Sequence, residues 1–202
     1  AWDPIVSPLL VANLKRLGID ARLMKSNEMI IKKSMVHNTG QCLPINIIAQ
    51  EFIEYVSEQH LKPENTMLWM METKLSCNIR LYPQYIKNIL ENYGKGMEKA
   101  HVYCGPMTHL EISLSACYYA YFAYLLGGLL RMTACKIRPY EINKGETDLA
   151  VDTGVRILEQ AFLGKKSMDK AVCEVIRVFD NIQCISGNRR KVGLFGDFYV
   201  CD

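Results

Sequence analysis

Apolar residues recur along the chain with two kinds of spacing, one typical of amphipathic helices and one typical of short buried strands. Apolar positions three and four residues apart predict helices at residues 7–18, 44–60, 82–94, 147–163 and 167–184, and a long helix that starts at residue 108. Continuous apolar runs predict strands at residues 66–71 and 100–103, and we also predict strands at 20–24 and 191–200. Predicted helices and strands therefore alternate along the chain.

This alternation is typical of a parallel, doubly wound sheet with crossover helices. We expect an α/β fold with a mostly parallel, Rossmann-like sheet and one long apolar helix. Residues 1–202 are expected to form a single α/β unit, with a sub-boundary near 136–147 as the alternative. The first predicted element is a helix without a preceding strand, and the last is a strand without a following helix. We therefore expect the chain to be an excised piece of a larger protein whose function requires a neighbour.

Residues 112–130 carry no charge, and the run approaches the length of a transmembrane helix. It contains several tyrosines and the paired glycines Gly127 and Gly128. Tyrosine hydroxyls in the middle of a bilayer would lack water, whereas a globular protein can give them hydrogen-bond partners. We therefore expect a helix buried in a core or at a domain interface, and keep a membrane span as the alternative.

Composition and charge narrow the function classes. Half of the residues are hydrophobic and 22% are charged, which excludes a disordered chain and a coiled coil. The net charge of +3 is scattered, so we expect no nucleic-acid partner. The chain shows no secretory signal and no phosphate-binding Gly-rich loop. We therefore expect a protein of the reducing cytoplasm, with no membrane attachment and no nucleotide cradle of its own.

The eight cysteines fall into two groups on the predicted elements. Four lie in apolar helical segments and are expected to be small buried hydrophobes: Cys117, Cys135, Cys173 and Cys184. Four others lie at helix starts or strand ends: Cys42, Cys77, Cys104 and Cys201. In a parallel sheet these positions share the carboxyl edge, where ligands bind. Thiolates from separate loops suit an iron–sulfur cluster, and isolated loop thiols are the alternative. His37 and His109 are also expected near this edge.

Four motifs, in this order, resemble the C-terminal region of large activase-related proteins. They are Thr39-Gly40-Gln41-Cys42-Leu43-Pro44, Cys77 followed by Tyr82-Pro83-Gln84-Tyr85, Arg138-Pro139-Tyr140-Glu141 followed by Gly145, and residues 191–200 with the sequence KVGLFGDFYV. The family is that of the CoA-substrate-specific enzyme activases, whose C-terminal region is similar to the 2-hydroxyacyl-CoA dehydratase subunits. The matches extend over residues 39–200, nearly the whole chain.

The resemblance implies a [4Fe–4S] cluster that receives electrons from an ATP-hydrolysing activase and acts on an acyl-CoA. Carried over by position, Cys42 and Cys77 are cluster ligands. No motif identifies the third ligand; Cys104 is expected from its place at the same edge, with Cys201 as the alternative. Arg138 and Glu141 belong to the family motif or form a structural ion pair. The function implied is an iron–sulfur electron-transfer domain, and the alternative is a non-catalytic scaffold or interaction module of the same family that lacks a working cluster.

Overall fold

The computed structural model describes residues 3–37, 40, 42–71, 78–106, 108–187, 189–190 and 193. Its helices are α1 (Val6–Arg16), α2 (Glu28–Ser34), α3 (Leu43–Glu58), α4 (Tyr82–Tyr93), α5 (Leu114–Ile137), α6 (Glu146–Phe162) and α7 (Met168–Asp180), and its strands are β1 (Met67–Met71) and β2 (His101–Gly105). The chain divides into two compact units, residues 1–125 and 126–202, at a point within α5.

The predicted doubly wound, Rossmann-like sheet is wrong. The described residues form a mostly helical structure, and their sheet has only the two parallel strands β1 and β2. Most predicted helices and both apolar strands do form close to their predicted positions. Local periodicity thus identified the elements, but it carries no information on whether enough strands exist to pair into a larger sheet.

The strand predicted at residues 20–24 does not form. Arg22 instead makes two hydrogen bonds to the carboxylate of Asp20, at 3.0 and 2.9 Å, which are local contacts within the segment. The next segment forms helix α2, which was not predicted; Asn27 caps it by accepting a hydrogen bond from the Ile30 N–H at 2.9 Å. The strand predicted at 191–200 lies outside the described residues except for Gly193.

The core of the first unit packs helices α3 and α4 against the sheet. Helix α3 carries Pro44 in its first turn and has five apolar side chains on its buried face: Ile45, Ala49, Phe52, Ile53 and Val56. Helix α4 contributes Ile86, Ile89 and Leu90 to the same cluster, and β1 contributes Leu68. Lys87 of α4 also donates hydrogen bonds to the backbone carbonyls of Glu98 and Ala100, which ties α4 to the entry of β2.

Strands β1 and β2 pair in parallel, with Met67 opposite His101 and Met70 opposite Cys104. Because α4 connects the two strands, they form one β–α–β unit. Side chains alternate between the two faces of a strand. Leu68, Met70 and Val102 pack against the cluster formed with α3 and α4, which we call the core face. Trp69 and Tyr103 therefore belong to the opposite face, which we call the aromatic face.

The expected long apolar helix is also wrong. A 24-residue helix, α5, does form over the charge-free run, but the side chains that it buries are mostly alanines: Ala116, Ala120, Ala123, Leu130 and Ala134. Leu114, Tyr118 and Tyr121 are instead 79%, 58% and 63% exposed. Within the described part of the chain, no helix combines the length and the apolar character that a membrane crossing requires.

Helix α1 packs against the first half of α5 through polar as well as apolar contacts. Asn13, which is fully buried, donates a hydrogen bond of 3.0 Å to the carbonyl oxygen of Ala116. The Arg16 guanidinium lies 3.5 Å from the ring centroid of Tyr119 and donates to the hydroxyl of Ser115. These contacts hold α1 against the face of α5 that carries its buried alanines.

The second unit is built on the pair of helices α6 and α7. Its buried apolar residues include Leu158 and Phe162 of α6 and Ala171 and Phe179 of α7. Gly154 lets the helix come close to its neighbours, since a Cβ at this position would lie 3.1 Å from the Leu130 side chain and 3.5 Å from that of Val175. This unit contains no strand among its described residues, so its part of the predicted sheet is absent there.

Candidate functional site

Cys42 lies directly before helix α3 and is exposed. Its carbonyl oxygen accepts the first hydrogen bond of the helix, from the Ile45 N–H at 3.1 Å. The side chain therefore stands at a helix N-terminus, where the unpaired N–H groups and the helix dipole favour an anionic group such as a thiolate. Pro44 in the first turn is the feature of the sequence that made this boundary predictable.

Cys104 is the penultimate residue of strand β2 and is also exposed. It pairs in register with Met70. Because Val102 and Met70 lie on the core face, alternation assigns the Cys104 side chain to the same face, at the carboxyl end of the strand. Cys104 is thus on the side of the sheet that α3 and α4 cover.

Helix α3 leads into β1 through residues 59–66, so the helix returns the chain toward the amino end of the strand. From this order of elements we expect the N-terminus of α3, with Cys42, near the carboxyl edge. Cys77 lies outside the described residues; by its place in the sequence it belongs to the connection from β1 to α4. Cys201 also lies outside them. That Cys42 and Cys104 share one edge and one face of the small sheet stays a prediction.

Thiolates from separate loops are the donors that an iron–sulfur cluster requires. Among the described residues, no three or more histidine, cysteine, aspartate or glutamate side chains are grouped closely enough to hold a metal ion. Cys42 and Cys104 provide two donors of the right chemistry, and the remaining donor of the predicted set is Cys77. The donor set fits a cluster only when Cys77 is included.

The four cysteines that were expected to be buried are not. Cys135, Cys173 and Cys184 are exposed, and Cys117 is half-buried. The reason is the phase of the helices: α7 buries Ala171 and Phe179, and α5 buries Ala116 and Ala134, so that Cys173, Cys117 and Cys135 fall beside the buried stripe. Apolar composition of a helix does not determine which of its residues face the core.

His37 is held by a polar network on α3. Its Nε2 lies 2.8 Å from Gln50 Oε1, and Gln50 Nε2 donates to Glu54 Oε1 at 2.8 Å. Lys33 donates to the same Glu54 oxygen at 3.0 Å. Because the amide nitrogen of Gln50 is used by Glu54, its oxygen accepts from His37, and the imidazole carries its hydrogen on Nε2. This network fixes the histidine just before the segment that leads to Cys42.

The aromatic face carries a cluster that sequence reasoning missed. The Trp69 ring packs edge-on against Tyr103, with centroids 5.1 Å apart, and against His109, with centroids 5.4 Å apart. The Tyr103 hydroxyl donates a hydrogen bond to Glu111, and this bond, together with burial, raises the pKa of Tyr103. The one sequence signal for this cluster is that Trp69 and Tyr103 lie opposite each other on neighbouring strands. This signal can be used only when the pairing of the two strands is known.

Gly105 at the end of β2 is required by this cluster. A Cβ at this position would lie 2.5 Å from Tyr103 Cε1 and 3.3 Å from Trp69 Cζ2. His109 follows in the next turn and is only 4% exposed. Its backbone has a positive φ of 55°, which is uncommon for a residue other than glycine. Burial lowers the pKa of His109, so its ring is neutral at neutral pH.

The Arg138 motif has a structural role in the second unit. Arg138 donates two hydrogen bonds to Asp148 Oδ1, at 3.0 and 2.7 Å. Glu141 accepts from the backbone N–H groups of Gly145 and Thr147, at 2.9 and 2.8 Å, and so caps helix α6. The Thr147 side chain and the backbone N–H groups of Gly145 and Thr147 lower the pKa of Glu141.

Tyr140 joins this turn to the segment after α7. The Tyr140 carbonyl accepts from the Ile185 N–H at 2.8 Å, and the Ile142 N–H donates to the Gln183 carbonyl at 2.9 Å. The Tyr140 hydroxyl also accepts from the Arg189 N–H at 2.9 Å. The motif therefore uses its polar groups to connect the start of α6 with the segment after α7.

A scan against models of protein families, a search of curated proteins and a search of solved structures each returned no match. The resemblance to the CoA-substrate-specific enzyme activases consequently rests on the motifs of the chain itself. It stays a prediction, as do the cluster and the partners that it implies.

Proposed function

We propose that this chain is an iron–sulfur electron-transfer domain of an acyl-CoA dehydratase-like system, with a [4Fe–4S] cluster held by Cys42, Cys77 and Cys104. One observation carries the proposal: Cys104 is on the core face at the carboxyl end of β2, and the helix that packs on this face begins at Cys42. Both thiols are exposed and therefore accessible to iron and sulfide when a cluster assembles.

The cluster would supply one-electron chemistry when bound. The chain itself contributes the thiolates, and the N-terminus of α3 favours the negative charge on Cys42. The Gln50–His37 network holds the start of the segment that leads to Cys42. A reducing cytoplasm, which keeps thiols unpaired, is the compartment that this role requires.

The proposed partners are an ATP-hydrolysing activase domain, in the same or another chain, and an acyl-CoA. The chain has no Walker loop and no Gly-x-Gly-x-x-Gly sequence after a strand. The energy for a low-potential electron therefore comes from the partner, and residues 1–202 alone should neither bind nor hydrolyse ATP.

The second candidate is a non-catalytic scaffold or interaction module of the same family without a working cluster. The exposed apolar side chains of α5 favour it, because Leu114, Tyr118 and Tyr121 lie on the surface. This candidate predicts a protein that folds normally and never retains iron.

Anaerobic reconstitution with ferrous iron and sulfide distinguishes the two candidates. We expect iron and acid-labile sulfide to be retained after desalting, with the broad visible absorption of a [4Fe–4S] cluster. Cys42→Ser, Cys77→Ser and Cys104→Ser should each lower the retained iron strongly. Cys135→Ser and Cys173→Ser are the matched controls, since both side chains are exposed cysteines of helices and should not change the iron content.

Two results would reject the cluster. One is a folded wild-type protein that retains no iron or sulfide under these conditions, which supports the scaffold. The other is equal loss of iron in the control variants and in the three predicted ligands, which indicates nonspecific thiol binding. Far-ultraviolet circular dichroism of each variant separates loss of iron from loss of fold.

A further inference from the structure

Among the residues that the structure describes, two ring nitrogens of the aromatic face are buried without a hydrogen-bond partner. These are Nε1 of Trp69 and Nδ1 of His109. A buried polar group without a partner costs free energy, so native structures pair nearly all of them. The two rings that carry these atoms are in edge-on contact. The two unpaired nitrogens thus belong to rings in direct contact, which makes them candidates for one shared ligand.

The chemistry of the two atoms restricts the ligand. The indole Nε1–H of Trp69 only donates, so the ligand must offer an acceptor to it. The neutral ring of His109 presents either a lone pair or an N–H at Nδ1. An amide fits the tautomer in which Nδ1 carries the lone pair, because its carbonyl accepts from Trp69 and its N–H donates to His109.

The surroundings disfavour a charged ligand. Glu111 places a carboxylate at the Tyr103 hydroxyl, and Tyr103 contacts the Trp69 ring. A ligand carboxylate would lose solvation at the two buried nitrogens and would find no cationic partner in the neutral His109. The positive φ of His109 is consistent with a residue held in a specific orientation for binding.

We propose that Trp69 and His109 form a binding site for the uncharged carboxamide group of a small molecule. The site is on the aromatic face, whereas Cys42 and Cys104 belong to the core face. It therefore does not depend on the proposed cluster, and the two assignments can fail separately.

The test is a titration of the ¹⁵N-labelled protein in a Trp2→Phe background, which leaves Trp69 as its only tryptophan. The probes are acetamide, acetate and acetone, and the signals are the indole N–H of Trp69 and the ring protons of His109. We expect acetamide to shift both signals with one saturable Kd in roughly the millimolar range, as the size of the probe allows. Acetate and acetone should bind at least about tenfold more weakly, because acetate adds a charge and acetone lacks the N–H donor.

Variants separate the two ring nitrogens from packing. Trp69→Phe removes the indole N–H and His109→Phe removes the imidazole nitrogens, and each should weaken acetamide binding at least about tenfold, measured on the remaining ring. His60→Phe is the matched control for a phenylalanine at positive φ, because His60 is exposed and has a φ of 50°. It should leave binding unchanged.

Three outcomes overturn the proposal. Signals that move linearly, without saturation, mean that water alone pairs the two nitrogens. Equal binding of acetate shows that the site does not select an uncharged group, and equal binding of acetone shows that no amide donor is used. If His109→Phe does not fold, the proposal is still tested by Trp69→Phe and by the titration of the three probes in the protein that keeps both Trp69 and His109.

Discussion

Two segments that carry the resemblance differ in how the structure uses their side chains. In the second unit, Arg138 hydrogen-bonds to Asp148, and Glu141 accepts a hydrogen bond from the N-terminus of α6. In the first unit, Cys42 is exposed directly before α3, and Cys104 is exposed near the end of β2. A matched motif can thus serve the structure of its own segment, and the sequence pattern alone does not show whether it does. The polar side chains of the Arg138 segment are hydrogen-bonded within their own unit, whereas a role of the two cysteines in holding a cluster is a proposal that the experiments below test.

The largest expected effect on stability is in the helix that presents Cys42. Ile45 is fully buried in α3, and Ile45→Ala should lower the free energy of unfolding by about 2–5 kcal/mol, because it removes buried methyl groups and leaves a cavity. Leu43→Ala, at a position 42% exposed in the same helix, is the control and should change it by about 0.5 kcal/mol or less. Urea unfolding followed by circular dichroism gives both values. A similar cost for the two variants would contradict the placement of α3 in the core.

Glycine-to-alanine substitutions at Gly105 and Gly154 should differ in their effect on stability, because one lies in the sheet and the other in the second unit. Gly105→Ala should destabilise the protein by about 1–3 kcal/mol, because the new Cβ displaces the rings of Tyr103 and Trp69. Gly154→Ala should be close to neutral, since better helix propensity offsets the tighter contact with Leu130. Thermal or urea unfolding of both variants checks the order. If Gly154→Ala were the more harmful substitution, the described packing at both positions would be wrong.

The cap at Glu141 makes the second unit sensitive to acid. Hydrogen bonds lower the folded-state pKa of Glu141 below its ordinary value of 4.5. Its stabilising effect is therefore complete above pH 4.5 and is lost as the pH falls through the lower folded-state pKa. Glu141→Gln should lower the free energy of unfolding at pH 7, and the difference from wild type should shrink below pH 4.5.

Asp152→Asn is the control for this titration, because Asp152 is an exposed residue of the same helix. It should give a difference from wild type that changes little over the same pH range. A Glu141→Gln difference that is constant from neutral to acidic pH would exclude the carboxylate cap.

The smallest expected effect is at Arg138. Its pair with Asp148 is exposed on both sides, so Arg138→Gln should cost less than about 1 kcal/mol. It should also leave the iron retained after reconstitution unchanged, in contrast to Cys104→Ser. Iron content and urea unfolding of the same preparation measure both quantities. Loss of iron in a folded Arg138→Gln protein would give the motif a role in the site and remove the contrast between the two segments.

Sequence reasoning located elements better than it located their assembly. Pro44 and the apolar spacing of α3 were sufficient for that helix, and the apolar run at 66–71 was sufficient for β1. The segment at 20–24 failed because a strand depends on a neighbour for its hydrogen bonds, and Asp20 and Arg22 satisfied each other locally instead. The expected large sheet failed for the same reason, since pairing is a long-range property that local patterns do not contain.

The residues of the candidate sites also differ in whether local sequence patterns predict them. The positions of Cys42 before α3 and of Cys104 near the end of β2 could be predicted, because helix starts and strand ends have local sequence signals. The exposure of Cys173 could not be predicted, because it depends on the rotation of α7 about its axis against α6. The cluster of Trp69, Tyr103 and His109 was missed because it needs the register of two strands and the path of the turn after β2.

Proximity of Cys42 and Cys104 is the central claim, and thiol crosslinking of the metal-free protein tests it most directly. In a variant that keeps only these two cysteines, a short bifunctional reagent that fluoresces when both of its ends have reacted should give a fluorescent, crosslinked monomer under native conditions. The signal should disappear in urea and in each single-cysteine protein, which reacts at one end only. Absence of the crosslink in the folded two-cysteine protein, with both thiols shown to be reactive, would contradict the assignment of Cys42 and Cys104 to one site.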